Sequence, residues 1–254
     1  MYQSCTTTLY TFVYVCLKLT NETIYIMKKL IYLLLTVLIV GCSGEDGNNN
    51  NQSSCNGDNP VYLADNGVTV KACDDASVGD TGVINGITYT VVDEAVLREM
   101  VANEEDVTAV VTTKVTNMSE LFFLGGGSNG TPILNDFNQN ISSWDVSNVT
   151  SMGLMFLGAN LFNQPIGNWD VSSVTNMSDM FYGIPSNPTS AFNQPIGNWN
   201  VSNVTNMGSM FSNAVSFNQD LSSWGVDNVT YCLFFSSSAL SWTLPQPNFT
   251  NCTP

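Results

Sequence analysis

From residue 137 to near the end of the chain, one block of apolar and polar positions recurs. It opens with Phe-Asn-Gln, places a Trp seven residues after the Phe, and closes with Val-Thr and Met. The Phe column reads Phe137, Phe162, Phe192 and Phe217, and the Trp column Trp144, Trp169, Trp199 and Trp224, each stepping by 25, 30 and 25 residues. A fixed period of this size predicts a repeat solenoid whose units each bury an apolar side against the next. The apolar set of one unit is Phe162, Ile166, Trp169, Val171, Val174, Met177, Met180 and Phe181. Val-Thr-Asn-Met is expected as a short parallel β-strand, and Met177 to Phe181 as a turn of helix or 3-10 helix. About five coils are expected over 115–254, with Pro165 and Gly167 keeping the return path irregular.

A different pattern precedes the repeats. Val83 to Val92 alternates about Asn85-Gly86, which supplies the two φ > 0 positions of a type I′ hairpin turn. Asp93 is placed to N-cap a helix from Glu94 to about Ala102, with Val96, Leu97, Met100 and Val101 on one face. Residues 60–114 therefore read as an N-terminal α+β cap covering the first coil. Residues 43–59, rich in Asn, Ser, Gly and acid, read as a flexible tether.

Composition narrows the function. The chain of 254 residues has no His and a formal charge of −15, and no Lys or Arg follows Lys114. Phosphate contacts need clustered cations, so nucleic acid is not an expected partner. The commonest general base and transition-metal ligand is absent, and no phosphate loop, nucleophile elbow or metal-type Cys cluster occurs. No catalysis, cofactor or metal is expected. Asp145, Asp170, Asn200 and Gly225 form a column in which stacked carboxylates could suit Ca²⁺. The column loses its charge halfway, and Asp before Ser is a good turn former. The Thr column (Thr116, Thr150, Thr175, Thr205, Thr230, Thr250) reads as a structural ladder rather than an ice-binding face.

Seven cysteines divide by position. Cys5 and Cys16 lie in residues 1–26, an N-terminal stretch expected to be a mis-called extension, with translation starting at Met27. Residues 27–42, MKKLIYLLLTVLIVGC, combine a basic start, a short apolar run and a lipobox. This resembles a bacterial lipoprotein signal peptide (27–41), and the resemblance implies lipidation of Cys42. Four cysteines remain, an even number in an exported chain, which suggests two disulfides. Aligned on Val-Thr, Cys232 and Cys252 both fall in the Met column of consecutive coils. Paired strands about 4.8 Å apart lie within reach of a disulfide. Cys232–Cys252 is expected as a staple of the last coil, and Cys55–Cys73 follows by elimination.

The repeat FNQPIGNWDVSSVTNMSDMF resembles the BspA-like leucine-rich-repeat surface proteins of bacteria over residues 115–254. The lipobox, the VINGITYTVVDEAVLREMV stretch and Glu45-Asp46 after the lipid cysteine are similar to surface lipoproteins of Bacteroidetes. The resemblance implies a leucine-rich-repeat-like right-handed coil, outer-membrane lipid anchorage with surface display, and for some members adhesion to host proteins. It supplies no catalytic residues. Two insertions enter the coil at the same point, Gly125 to Pro132 and Ile184 to Ser190. They are expected to emerge on one edge, and read either as neutral loop growth, which surface loops tolerate cheaply, or as a binding edge at Ser128, Asn129, Thr131, Pro132, Pro185, Asn187 and Pro188. The expected function is non-catalytic binding of an extracellular protein or glycan by a monomer. The alternative is a structural envelope spacer without a specific ligand.

Overall fold

A computed structural model describes residue 55 and residues 58–125, 135–187 and 189–254. Regular secondary structure among these residues is confined to 61–111. Strands β1 (Val61–Leu63) and β2 (Val70–Ala72) pair antiparallel. Strands β3 (Thr81–Ile84) and β4 (Ile87–Val91) form a hairpin, and β5 (Val110–Val111) joins β4 in parallel. Asn85 and Gly86 have φ of 51° and 80°, as the type I′ turn requires. Helix α1 runs Glu94–Ala102, and the Asp93 carboxylate accepts from the Val96 N–H. This satisfies one of the orphan donors of the first turn.

The repeats depart from expectation. Between residues 115 and 254 the described chain holds neither a regular strand nor a helix. It holds turns and single parallel bridges, joining Asn117 to Ser151, Ser151 to Asn176, Asn176 to Asn206 and Asn206 to Tyr231. The leucine-rich-repeat-like solenoid of short parallel strands with helical or 3-10 turns is therefore wrong: the regular structure among the described residues is two small sheets and one helix. The backbone supplies the reason. Two residues past each Met-column position, Glu120, Leu154, Asp179, Ser209 and Phe234 have φ between 52° and 60°. A left-handed residue at that point ends both a strand and a right-handed helix, which need negative φ.

This alternation orients the main chain in an unusual way. The N–H groups of Met152, Leu154 and Phe156 donate to the carbonyls of Asn176, Ser178 and Met180, and every neighbouring pair of repeats repeats the scheme. The Thr N–H runs backwards, as from Thr175 to Thr150, and so do those of Asn206 to Thr175, Tyr231 to Thr205 and Ala191 to Asn160. Each repeat thus presents amides to its successor and carbonyls to its predecessor.

Packing follows the aromatic columns. The Trp169 and Trp199 rings stack at 6.5 Å and Trp199 and Trp224 at 6.3 Å, all buried. Phe162, Phe192 and Phe217 stack at 6.0 and 5.9 Å. Phe156, Phe181 and Phe211 form a second Phe column at 5.4 and 5.5 Å, lying about 4 Å from the first. Each indole N–H reaches a carbonyl of the preceding unit: Trp169 to Ile141, Trp199 to Ile166 and Trp224 to Ile196. Gly167 is required because a Cβ there would strike the Pro195 carbonyl. One buried apolar cluster runs from Val92 and Leu97 to Trp242, so α1 shares a core with the repeats.

Candidate functional site

The repeated polar residues face solvent, and their hydrogen bonds show what they do. Asn163 Oδ1 accepts the Asn193 N–H at 3.0 Å and Gln194 Nε2 at 3.0 Å, and Gln194 Nε2 also reaches the Asn163 carbonyl. Asn138 and Asn193 serve the next repeat in the same way. Phe-Asn-Gln is therefore a ring anchor followed by an inter-repeat clasp. The Thr column is a structural ladder: the hydroxyls of Thr150, Thr175 and Thr205 donate to the Thr carbonyl one repeat back at 3.1–3.2 Å.

The Asp column splits. Asp170 and Asn200 are exposed and accept the N–H of Ser172 and Ser202, as turn formers do. Asp145 is buried. Its carboxylate accepts from the Thr113 and Ser147 hydroxyls at 2.7 Å and lies 3.5 Å from Lys71 Nζ, while the Thr112 hydroxyl donates to its carbonyl. It joins β2 and the residues after β5 to the repeat that opens at Phe137. Among the described residues no group of three or more His, Cys, Asp or Glu could hold a metal ion.

Of the expected binding edge, Ser128, Asn129, Thr131, Pro132 and Pro188 lie outside the described residues, as do Cys42, the signal peptide 27–41 and the extension 1–26. Pro185 is exposed. The Asn187 carbonyl is held by buried Asn160, whose Nδ2 also reaches the Thr189 hydroxyl at 2.8 Å. Residues just after the two insertions flank Asn160: Asn135 bridges to Ala159, and the Ala191 N–H donates to the Asn160 carbonyl. The cavity beside them, lined by Asn160, Tyr182 and Ser190, measures about 10 Å³. A single water needs roughly that much, so no small molecule enters it.

Both disulfides are present, Cys55–Cys73 with Cα atoms 5.7 Å apart and Cys232–Cys252 at 5.9 Å. The register behind the second pair differs from expectation. Asn251 Nδ2 donates to the Asp227 carbonyl, as Asn228 does to Ser202 and Asn203 to Ser172. Asn251 therefore sits with the Asn before Val, and Cys252 falls in the Val column rather than the Met column. Trp242-Thr243-Leu244-Pro245 continues the Phe-Asn-Gln-Pro column, since the Thr243 N–H donates to Asn218 Oδ1. A clue was in the sequence: Trp242 follows Phe217 by 25 residues.

Burial raises the Asp179 pKa above its ordinary value, against an opposing hydrogen bond from Ser209. The Thr108 hydroxyl and N–H lower that of Asp106.

The chain belongs to the family described as Mycoplasma protein of unknown function, DUF285, which matches residues 92–187 and 185–250. The match begins at the end of the β4 hairpin and takes in α1 and the repeats. No curated protein and no solved structure matches the chain.

Proposed function

We propose that this chain is a non-catalytic lipoprotein of the cell envelope, displayed at the surface like the BspA-like proteins its repeat resembles, and that it binds an extracellular protein or glycan. The observation that carries the reading is the pair of disulfides, one before the hairpin and one in the last repeat. Disulfides persist in oxidising compartments and are rare in the cytosol. The lipobox ending at Cys42 supports the same address. A stacked aromatic core gives a rigid scaffold, on which binding costs little ordering.

One observation favours a spacer without a ligand: the repeated Asn, Gln and Thr side chains spend their hydrogen bonds on neighbouring repeats. An array of glycans and matrix proteins probed with the full chain separates the two readings. Retention of a defined set of spots is expected, and silence across the array favours the spacer. Radiolabelled palmitate entering the protein, and its loss in Cys42→Ala, tests the anchor.

A further inference from the structure

In each repeat before the last, amides are taken up by the following repeat. The N–H groups of Met207, Ser209 and Phe211 donate to Tyr231, Leu233 and Phe235 at 2.8–2.9 Å. Their equivalents one repeat later are Cys232, Phe234 and Ser236. None of these three N–H groups has an acceptor among the described residues. A fourth joins them. Asn206 Oδ1 accepts the Gly208 N–H at 3.0 Å, but Tyr231 replaces that Asn, and the Leu233 N–H has no acceptor either.

The opposite end is treated differently. There the carbonyls of Asn117 and Ser119 face away from the repeats, and both accept from the Arg98 guanidinium at 3.2 and 3.0 Å. The last repeat instead exposes large apolar side chains: Tyr231, Leu233, Phe234 and Leu240, the last 82% exposed. Trp242, itself buried, has an indole N–H with no partner among the described residues.

We propose that this donor edge is a docking site for an extended segment of a partner polypeptide, apolar in its side chains and neutral or basic in charge. The partner's backbone carbonyls accept the N–H groups of Phe234 and Ser236, and its side chains cover Leu233, Phe234 and Leu240. Adding a backbone to an open edge is a recurring mode of peptide recognition. Hydrogen-bond polarity argues against a second copy of this chain. A symmetric pair would set donors against donors, and a head-to-tail pair would need the carbonyls that Arg98 already occupies. Charge argues against an acidic segment, because the chain carries −15 and no cation follows Lys114. The inference rests on the binding reading above and narrows it to one edge and one class of partner.

A phage-displayed library of random dodecapeptides, selected on the full chain, tests it. Selected sequences are expected to be apolar and poor in Asp and Glu. A synthetic peptide from the selection should slow amide exchange at Phe234 and Ser236 at least tenfold while leaving the exposed loop at Asp74 and Asp75 unchanged. Leu240→Asp should weaken that peptide at least tenfold with an unchanged melting temperature. Phe234→Gly, which keeps the N–H and suits the φ of 60°, should weaken it less. The proposal is overturned if no sequence is enriched, if bound peptide leaves both amides exchanging at the free rate, or if the peptide-free chain self-associates and protects them. An array that retains its spots while the library yields nothing overturns this edge and leaves the general binding reading standing.

Discussion

Residues 61–111 and residues 115–254 solve the same problem by different means. In the first region the backbone is satisfied by ordinary elements, a type I′ hairpin and a capped helix, and side chains are free to pack. In the second, a left-handed residue in every repeat turns the amides toward one neighbour and the carbonyls toward the other. A hairpin closes on itself; a repeat closes only on the next repeat. The second region therefore leaves groups to be met at its first and last described repeats. At the start it has Arg98 and the Lys71–Asp145 contact; in the last repeat it has a disulfide and a row of N–H groups with no acceptor among the described residues.

The largest test removes a ring from the middle of a column. Trp199→Ala should lower stability by roughly 3–5 kcal/mol, through the cavity and the unpaired Ile166 carbonyl it leaves. A loss under about 1 kcal/mol in a denaturant melt would show that the columns do not hold the repeats. Next in size, Cys232→Ser with Cys252→Ser should cost roughly 3 kcal/mol through the freed loop. Hydrogen exchange should then rise first between residues 232 and 252, not in the hairpin; uniform exchange would contradict the staple.

A smaller pair of changes places one substitution in both regions. Glu120→Gly, exposed at φ 59°, should raise stability by about 0.5–1 kcal/mol, because glycine takes the left-handed region without strain. Ala95→Gly in α1 should lower it by up to about 1 kcal/mol. Equal signs in the two melts would remove the backbone contrast.

The smallest effect is read against pH. Asp179 has a raised folded pKa, so the native state holds its proton more tightly than the unfolded chain. Its charged form opposes folding above that folded pKa, and the penalty fades as pH falls through it toward the unfolded value. Asp179→Asn should therefore raise the melting temperature at pH 7 and lose that pH-dependent part of the gain near pH 3. A gain that is constant across the range would assign the effect to backbone preference alone.

Much of this was legible in the residues. The aromatic columns announce themselves by spacing, and Asn85-Gly86 and Asp93 carry local chemistry that fixes a turn and a cap. The left-handed column was hidden because Glu, Leu, Asp, Ser and Phe occupy it, and none of them signals positive φ as glycine does. Its consequence, turns in place of strands and helices, was hidden with it. The Cys232–Cys252 pair was found although its register was not, since a three-column shift still leaves the two Cα atoms 5.9 Å apart. The Asp145–Lys71 contact joins residues 74 positions apart, and no local pattern encodes it. The clasp role of Phe-Asn-Gln needed the geometry, because a repeated exposed carboxamide reads equally as a ligand array.

The one-way hydrogen-bond polarity has an evolutionary corollary. A duplicated block of 25 residues dropped between two existing ones meets complementary surfaces on both sides, so the gene can lengthen or shorten by whole modules without redesigning its neighbours. Selection on reach is thereby separated from selection on foldability, and only the terminal modules need to stay fixed.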